Sequence, residues 1–145
     1  MPSKPEHDQD ICAWSFHNAQ LLRHGRWAEL DRANIAEELE SIGRSIRREL
    51  GRCLRDLLAL LLEWHYQPQR RGTDLHLAIR SQRTEIRELL EESPSLQAEL
   101  HKQLTMQYPE ARELAALQAD VPLAGFPETC PFCPDQAILN ADWPD

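Results

Sequence analysis

The sequence predicts an all-α fold: a bundle of about four helices with one long central helix and a Pro-rich irregular tail. Apolar residues recur at steps of three or four over most of residues 8–119, which is the helical period. Cap and stop residues such as Asp10, Gly25 and Pro68 divide that pattern into segments. No segment shows the period-two alternation of a strand. At 145 residues we expect one domain over 1–145, with a disordered start at 1–7, the bundle over 8–119, and the tail over 120–145 packing on the bundle.

The first helix is predicted to run from Asp8 or Asp10, either of which can cap it, to His24. Gly25 follows as a stop. In the short connection after it, Trp27 and Leu30 are expected to tuck under the bundle.

The central helix is predicted to begin at an Asp31 cap and to end before Pro68, which disfavours a helical residue ahead of it. Nine apolar residues at steps of three or four should share its buried stripe: Ile35, Leu39, Ile42, Ile46, Leu50, Cys53, Leu57, Leu60 and Trp64. Near the end, Leu58, Ala59 and Leu62 fall off that stripe. The helix is therefore apolar all round there and should be buried on several sides.

The third helix is predicted from about Thr73 to Glu92. A fourth begins at Ser93 and Pro94, a cap followed by proline at the first helical position. Pro109 should kink or split that helix. Proline recurs from residue 122 to residue 144, so the tail should be irregular.

Four stretches, LDRANIAEELESIGRSIRREL, LLALLLEWHYQPQRR, IRSQRTEIRELLEESPSL and FPETCPFCPDQAIL, closely resemble the family catalogued as domain of unknown function 29, a set of small bacterial proteins. The resemblance runs from Ala13 to Pro144. It implies an all-helical fold, in agreement with the periodicity, and it implies no activity and no catalytic residue. His65 and Cys133 depart from the family's usual pattern, in which Cys-Pro is not completed to a CxxC motif.

Charge and hydropathy narrow the classes of partner. The net charge of −8 argues against nucleic acid as a partner. The longest apolar run, residues 57–62, is far shorter than the roughly 20 residues of a spanning helix, so we expect no membrane partner. The start is polar and lacks the apolar core of a secretory signal, which predicts a cytoplasmic protein with reduced cysteines.

Arginine is concentrated in the middle of the chain, where residues 44–87 hold ten Arg against five acidic residues. Two rows recur at helical spacing. We name the following seven as candidate partner-binding residues: Arg44, Arg48, Arg52 and Arg55 on the central helix, and Arg80, Arg83 and Arg87 on the third. The two rows could grip an acidic protein, a phosphate or RNA, pair with the acidic ends of the same chain, or pair across a dimer. We expect internal pairing for most of them, with a minority left for a partner or a dimer mate.

The segment Cys130-Pro131-Phe132-Cys133 has the CxxC form of a thiol redox site. Too few residues follow it, and no βαβ pattern precedes it, for the folds that use such a site. The same two thiols would supply only half of a zinc ligand set. We therefore predict no metal and no cofactor; Cys130 and Cys133 are the candidates if a metal binds. Cys53, on the apolar stripe, is expected to act as a small hydrophobe.

Together these features favour a non-enzymatic cytoplasmic helical interaction or regulatory module. Its partner would be an unidentified protein or a second copy in a homodimer. The alternative is a small thiol- or metal-dependent enzyme that uses Cys130 and Cys133.

Overall fold

Asp10 begins the first helix, one of the two caps predicted for it. In the computed structural model, which describes residues 3–139, α1 spans Ile11–Arg23 and the Asp10 carboxylate accepts a hydrogen bond from the Ala13 amide at 3.0 Å. Gly25 has a φ of +68°, a left-handed conformation that favours glycine and ends the helix. Trp27, in the three-residue 3₁₀ turn that follows, is exposed. The prediction that it tucks under the bundle is wrong, because this short turn leaves its side chain at the surface.

The long helix is α2, which spans Arg32–Tyr66. Its 35 residues give a length of roughly 50 Å at about 1.5 Å per residue. The other helices are α3 (Thr73–Glu92) and α4 (Leu100–Ala119), with 3₁₀ turns at Pro68–Arg70 and Pro94–Glu99 before them. Residues 3–139 contain four α-helices and no strand, so the predicted all-α class is confirmed.

The chain forms two compact units, one ending at Arg44 and the other beginning at Ser45. Among the described residues of the first unit, three side chains are buried: Trp14, Asn18 and Leu21. The main hydrophobic core lies in the second unit. That the chain folds as one domain stays a prediction.

The core of the second unit is built around the latter half of α2. Leu57, Leu58, Leu61 and Leu62 are fully buried, so this part of α2 is enclosed on several sides as predicted. Its neighbours from other elements are also buried: Ile79, Ile86 and Leu90 on α3, and Leu100, Leu104, Tyr108, Ala111 and Ala115 on α4.

The apolar stripe of α2 is not buried along its whole length. Leu39 is 64% exposed and Ile42 is 58% exposed, so the predicted burial is wrong for these first turns. Periodicity determines which residues share a face, but burial also needs an element that covers the face. In the first unit, Trp14 instead bonds to Asp31, and His7 bonds to Glu38.

Pro109 lies inside α4 without splitting it, contrary to one of its two predicted effects, since the helix continues to Ala119. Only one amide donor is missing from such a helix, and the surrounding core packing outweighs that loss. Gly51 of α2 marks a close approach: a β-carbon there would lie 2.7 Å from the side-chain nitrogen of Gln107 on α4.

The tail is irregular, with a 3₁₀ turn at Leu123–Gly125 and a single π-helical turn at Asp135–Leu139. It packs within the second unit through three buried side chains: Phe126, Ala137 and Ile138. The Tyr108 hydroxyl donates to the Pro127 carbonyl, and Arg112 donates to the Phe126 carbonyl at 3.0 Å. Residues 140–145 of the predicted tail lie outside the described residues.

Candidate functional site

The arginines of α2 pair mostly with acids on the same helix. Arg44 lies 2.7 Å from Glu37 and 3.4 Å from Glu40, and Arg52 pairs with Glu49. Ion pairs of this exposed kind contribute roughly 0–1 kcal/mol each. These ion pairs form without a binding partner. They are also weak enough for an acidic partner to displace them from the arginines.

The end of the α2 row faces α4. Arg55 lies 3.0 Å from Asp56 and 4.0 Å from Glu110. Arg48 is exposed and forms no ion pair with any residue in the range 3–139. A shallow groove of about 440 Å³ runs beside this row, and its lining is mixed in charge: Ser45, Arg48, Glu49, Arg52, Arg55 and Gln107.

The α3 row is divided between the surface and the interior. Arg83 is only 3% exposed and donates to the Ala137 carbonyl at 2.8 Å, while Arg87 donates to the Ile138 carbonyl at 2.9 Å. Burial lowers the pKa of Arg83, and the nearby Arg87 adds to that effect. Arg80 is exposed. Arg83 is therefore buried rather than on an exposed helix face, and its side chain holds the tail. That the arginine rows bind a partner stays a prediction.

A signal for the buried arginine was present in the sequence. Arg83 lies four residues after Ile79 and three before Ile86, so it shares their face of the helix. Its place within the apolar face of α3 indicates burial against backbone acceptors rather than exposure.

The two tail cysteines are free thiols. Cys130 is half-buried and its thiol lies 3.3 Å from the Phe132 carbonyl, whereas Cys133 is exposed. Burial raises the pKa of Cys130. Reactive cysteines need the opposite shift, since the thiolate is the nucleophile.

Cys53 is the buried thiol, and it has two acidic neighbours. Its sulfur lies 3.5 Å from Glu85 Oε2 on α3 and 3.8 Å from Glu49 Oε1 on α2. Burial, and next the Glu85 carboxylate, raise its pKa to about 11. The sequence predicts only a small hydrophobe at Cys53. The four-residue step from Glu49 is a signal for the first carboxylate, but nothing in the sequence points to Glu85.

A polar network joins the elements of the first unit. The Asp31 carboxylate accepts from Trp14 Nε1 and Asn34 Nδ2, both at 2.8 Å, and the Asp31 amide donates to Asn18 Oδ1 at 3.0 Å. The bonds from Asn34 and then Trp14 lower the pKa of Asp31. These groups satisfy one another, which is the pattern of a structural clamp.

A comparison with models of protein families matches residues 7–144 to the domain of unknown function DUF29. The chain belongs to the DUF29 family. No curated protein and no solved structure matches it. The family's description names no activity, so the chemistry is argued from this DUF29 chain itself.

The DUF29 chain also carries apolar side chains at the surface of its first unit. Leu39 and Ile42 on α2 are the two that continue the stripe of the buried core, and others lie on α1 and the turn after it: Ile11, Phe16, Leu22 and Trp27. Within residues 3–139, none of the helices combines the length and the apolar character needed to cross a lipid bilayer.

Proposed function

We propose that this DUF29 protein is a non-enzymatic helical interaction module that associates with a second copy of itself. The contact surface would be the α2 apolar face, which we define as Ile35, Leu39 and Ile42. The observation that carries the proposal is the exposure of Leu39 and Ile42, at 64% and 58%, on one side of a helix. Full burial of each such side chain is worth roughly 1.5–3 kcal/mol, so covering this face with a second copy would be favourable in free energy.

The order of charges along α2 favours a second copy in antiparallel orientation. Glu37 and Glu40 come before Ile42, and Arg44 comes after it. Two copies that cross at Ile42 about a two-fold axis would each place Arg44 opposite Glu40 of the other. A two-fold interface has to be self-complementary in this way.

The pairs that Arg44 makes within its own helix do not oppose this arrangement. Arg44, Glu37 and Glu40 all have side chains exposed by nearly half or more, so their pairs are weak and exchangeable. In an interface, the same carboxylates would be shared with the arginine of the second copy and shielded from water, which strengthens the attraction.

The chemistry of Cys130 supports an interaction module over a thiol enzyme. A buried thiol with a raised pKa holds its proton at neutral pH. We place the protein in the cytoplasm, where its free cysteines would stay reduced.

The test is the molar mass of the purified full chain, measured by light scattering and sedimentation equilibrium over a range of concentrations. We expect a monomer–dimer equilibrium in the wild type. The double change Leu39→Glu and Ile42→Glu should weaken it by about 100-fold or more. It removes two apolar side chains from each copy, each worth roughly 1.5–3 kcal/mol when fully buried, and it adds charge to the interface.

The matched control is Leu117→Glu, because Leu117 is an even more exposed leucine, at 79%, on α4. That variant should associate like the wild type. A wild type that stays monomeric at millimolar concentration, or a double variant that dimerises unchanged, contradicts the proposal. Circular dichroism of each variant checks that helix content is kept.

A further inference from the structure

We propose that Glu49, Cys53 and Glu85 form a binding site for a divalent transition-metal ion of the zinc class. Two of the ligands come from adjacent turns of α2 and the third from α3, all within the second unit. Their donor atoms lie within 4.8 Å of one another. The site does not depend on the self-association proposed above, and it is separate from Cys130 and Cys133.

The two sulfur–oxygen distances of the cluster match tetrahedral coordination, and the two carboxylates offer oxygens within 4.8 Å of each other. With Zn–S near 2.3 Å and Zn–O near 2.1 Å, the sulfur and an oxygen of a tetrahedral site are about 3.6 Å apart. The Cys53 sulfur lies 3.5 Å from Glu85 Oε2 and 3.8 Å from Glu49 Oε1. Two edges of the coordination tetrahedron are thus already in place, without a change in either helix.

The burial of the thiol separates this cluster from ordinary surface acids. Cys53 is 2% exposed and belongs to the hydrophobic core, and its sulfur also lies within 3.8 Å of two carboxylates. A thiol that only filled space would not need two carboxylates from different helices beside it. Glu85 has no ion pair with any residue between 3 and 139, and Glu49 is neutralised only by Arg52.

Charge favours a cation at this position. Two carboxylates lie beside the Cys53 thiol, and among residues 3–139 Arg52 is the only basic side chain that pairs with either of them. A divalent ion would offset this negative charge, because metal binding releases the thiol proton to solvent and forms a metal–thiolate bond. The net reaction exchanges one proton for one M²⁺, with no oxidant or reductant.

Access and ligand type indicate the class of ion. Glu85 is exposed and Glu49 is partly exposed, so an ion can enter from solvent and water can fill the fourth position. Magnesium and calcium prefer oxygen ligands alone, whereas a thiolate selects zinc or a similar ion.

The test uses Co²⁺ as the probe on the full chain after chelator treatment. Thiolate coordination gives a near-ultraviolet charge-transfer band, and we expect it to saturate at one Co²⁺ per chain. Cys53→Ser should abolish that band, and Glu85→Gln, a nearly isosteric change at an exposed position, should weaken binding by at least tenfold. Competition by Zn²⁺ should remove the cobalt signal.

Two control variants identify the site. Cys12→Ser and the double change Cys130→Ser and Cys133→Ser should leave the band and the affinity unchanged. The proposal is overturned if the wild type shows no band at millimolar Co²⁺, if the band survives Cys53→Ser, or if the loss of Cys130 and Cys133 abolishes it. Should Cys53→Ser fail to fold, the Glu85→Gln affinity decides, and an unchanged value refutes the site.

Discussion

Glu63 lies near the end of α2 with its side chain almost wholly removed from water and Arg70 at 3.7 Å. Burial raises the pKa of its carboxyl group, and the attraction of Arg70 opposes that effect only in part. The pKa of His7 is raised for a different reason: its ring nitrogens lie 2.9 Å from Asp8 and 2.6 Å from Glu38, and these acids favour its charged form. The local surroundings therefore shift the pKa values of Glu63 and His7, and a pH titration can test both shifts.

Replacing Glu63 by Gln should stabilise the protein at pH 7. The folded-state pKa is above the unfolded value of 4.5, so the stability linked to the neutral carboxyl is fully present below pH 4.5 and is lost as pH rises through the folded pKa. We expect Glu63→Gln to gain about 0.5–2 kcal/mol at pH 7 and little at pH 4, measured by urea unfolding. Glu88→Gln, at an exposed position of α3, is the control and should change little at either pH. A loss of stability at pH 7 contradicts the prediction.

His7 should titrate above 6.5, because its hydrogen bonds to Asp8 and then to Glu38 raise its pKa. The pairing is complete below the unfolded value of 6.5 and is lost as pH rises through the higher folded value. The ring shifts of His7 in an NMR titration report this pKa directly. Glu38→Gln should lower it toward 6.5, whereas Glu37→Gln, on the same helix without contact to His7, should not. An equal effect of both changes would mean that the general negative charge at the start of α2, rather than the Glu38 contact, raises the pKa of His7.

At the scale of elements, α3 anchors the tail through charged side chains. Arg83 and Arg87 donate to the carbonyls of Ala137 and Ile138, in a turn that is otherwise short and irregular. Hydrogen bonds from charged groups to buried acceptors are worth roughly 1.5–3 kcal/mol, more than exposed ion pairs. The arginines that matter to stability are therefore those of α3 that bond to backbone.

Arg83→Met should destabilise the protein by about 1–3 kcal/mol, because it leaves buried carbonyls without a donor. It should also speed proteolysis within residues 126–139. Arg80→Met is the matched control, one turn away and exposed, and should stay within about 0.5 kcal/mol. The measurements are urea unfolding and limited proteolysis with mass analysis of the fragments. Equal effects of the two substitutions would show that the bonds of Arg83 do not hold the tail.

A second test at this scale concerns α2 and the antiparallel pairing. Glu40→Arg and Arg44→Glu should each weaken self-association, because like charges would then face each other across the two-fold axis. Mixing the two variants should restore association, since each charge of one then meets its opposite on the other. Native mass spectrometry of the mixture distinguishes heterodimers from homodimers. A mixture without an excess of heterodimer would exclude this register, even if the wild type dimerises.

For the whole molecule, the sequence was sufficient to predict the fold class and most helix ends, because these depend on local chemistry at Asp10, Gly25 and Pro68. It was not sufficient to predict what covers a helix face. Leu39 and Ile42 share the period of the core residues, yet burial depends on elements distant in the chain. The same limit applies to Cys53 and Glu85, which are 32 residues apart and meet only in the folded state.

Leu57→Ala should cost about 2–5 kcal/mol, the usual range for truncating a fully buried leucine. Leu77→Ala is the control, because Leu77 of α3 is a largely exposed leucine and its truncation should cost less than about 0.5 kcal/mol. Chemical denaturation of both variants provides the comparison. Similar losses at the two sites would mean that the second unit is not centred on α2.

The bonds between Arg83 and the tail have a consequence for the order of events during synthesis. The acceptors, Gln136 and Ala137, are 53 and 54 residues further along the chain, so they leave the ribosome well after α3. Until then, Arg83 lacks its bonds to these two carbonyls, and closing the apolar face of α3 early would bury its charge without them. The second unit can therefore complete its core only after residues 136 and 137 have left the ribosome, and a chain stalled before residue 136 would keep this face open.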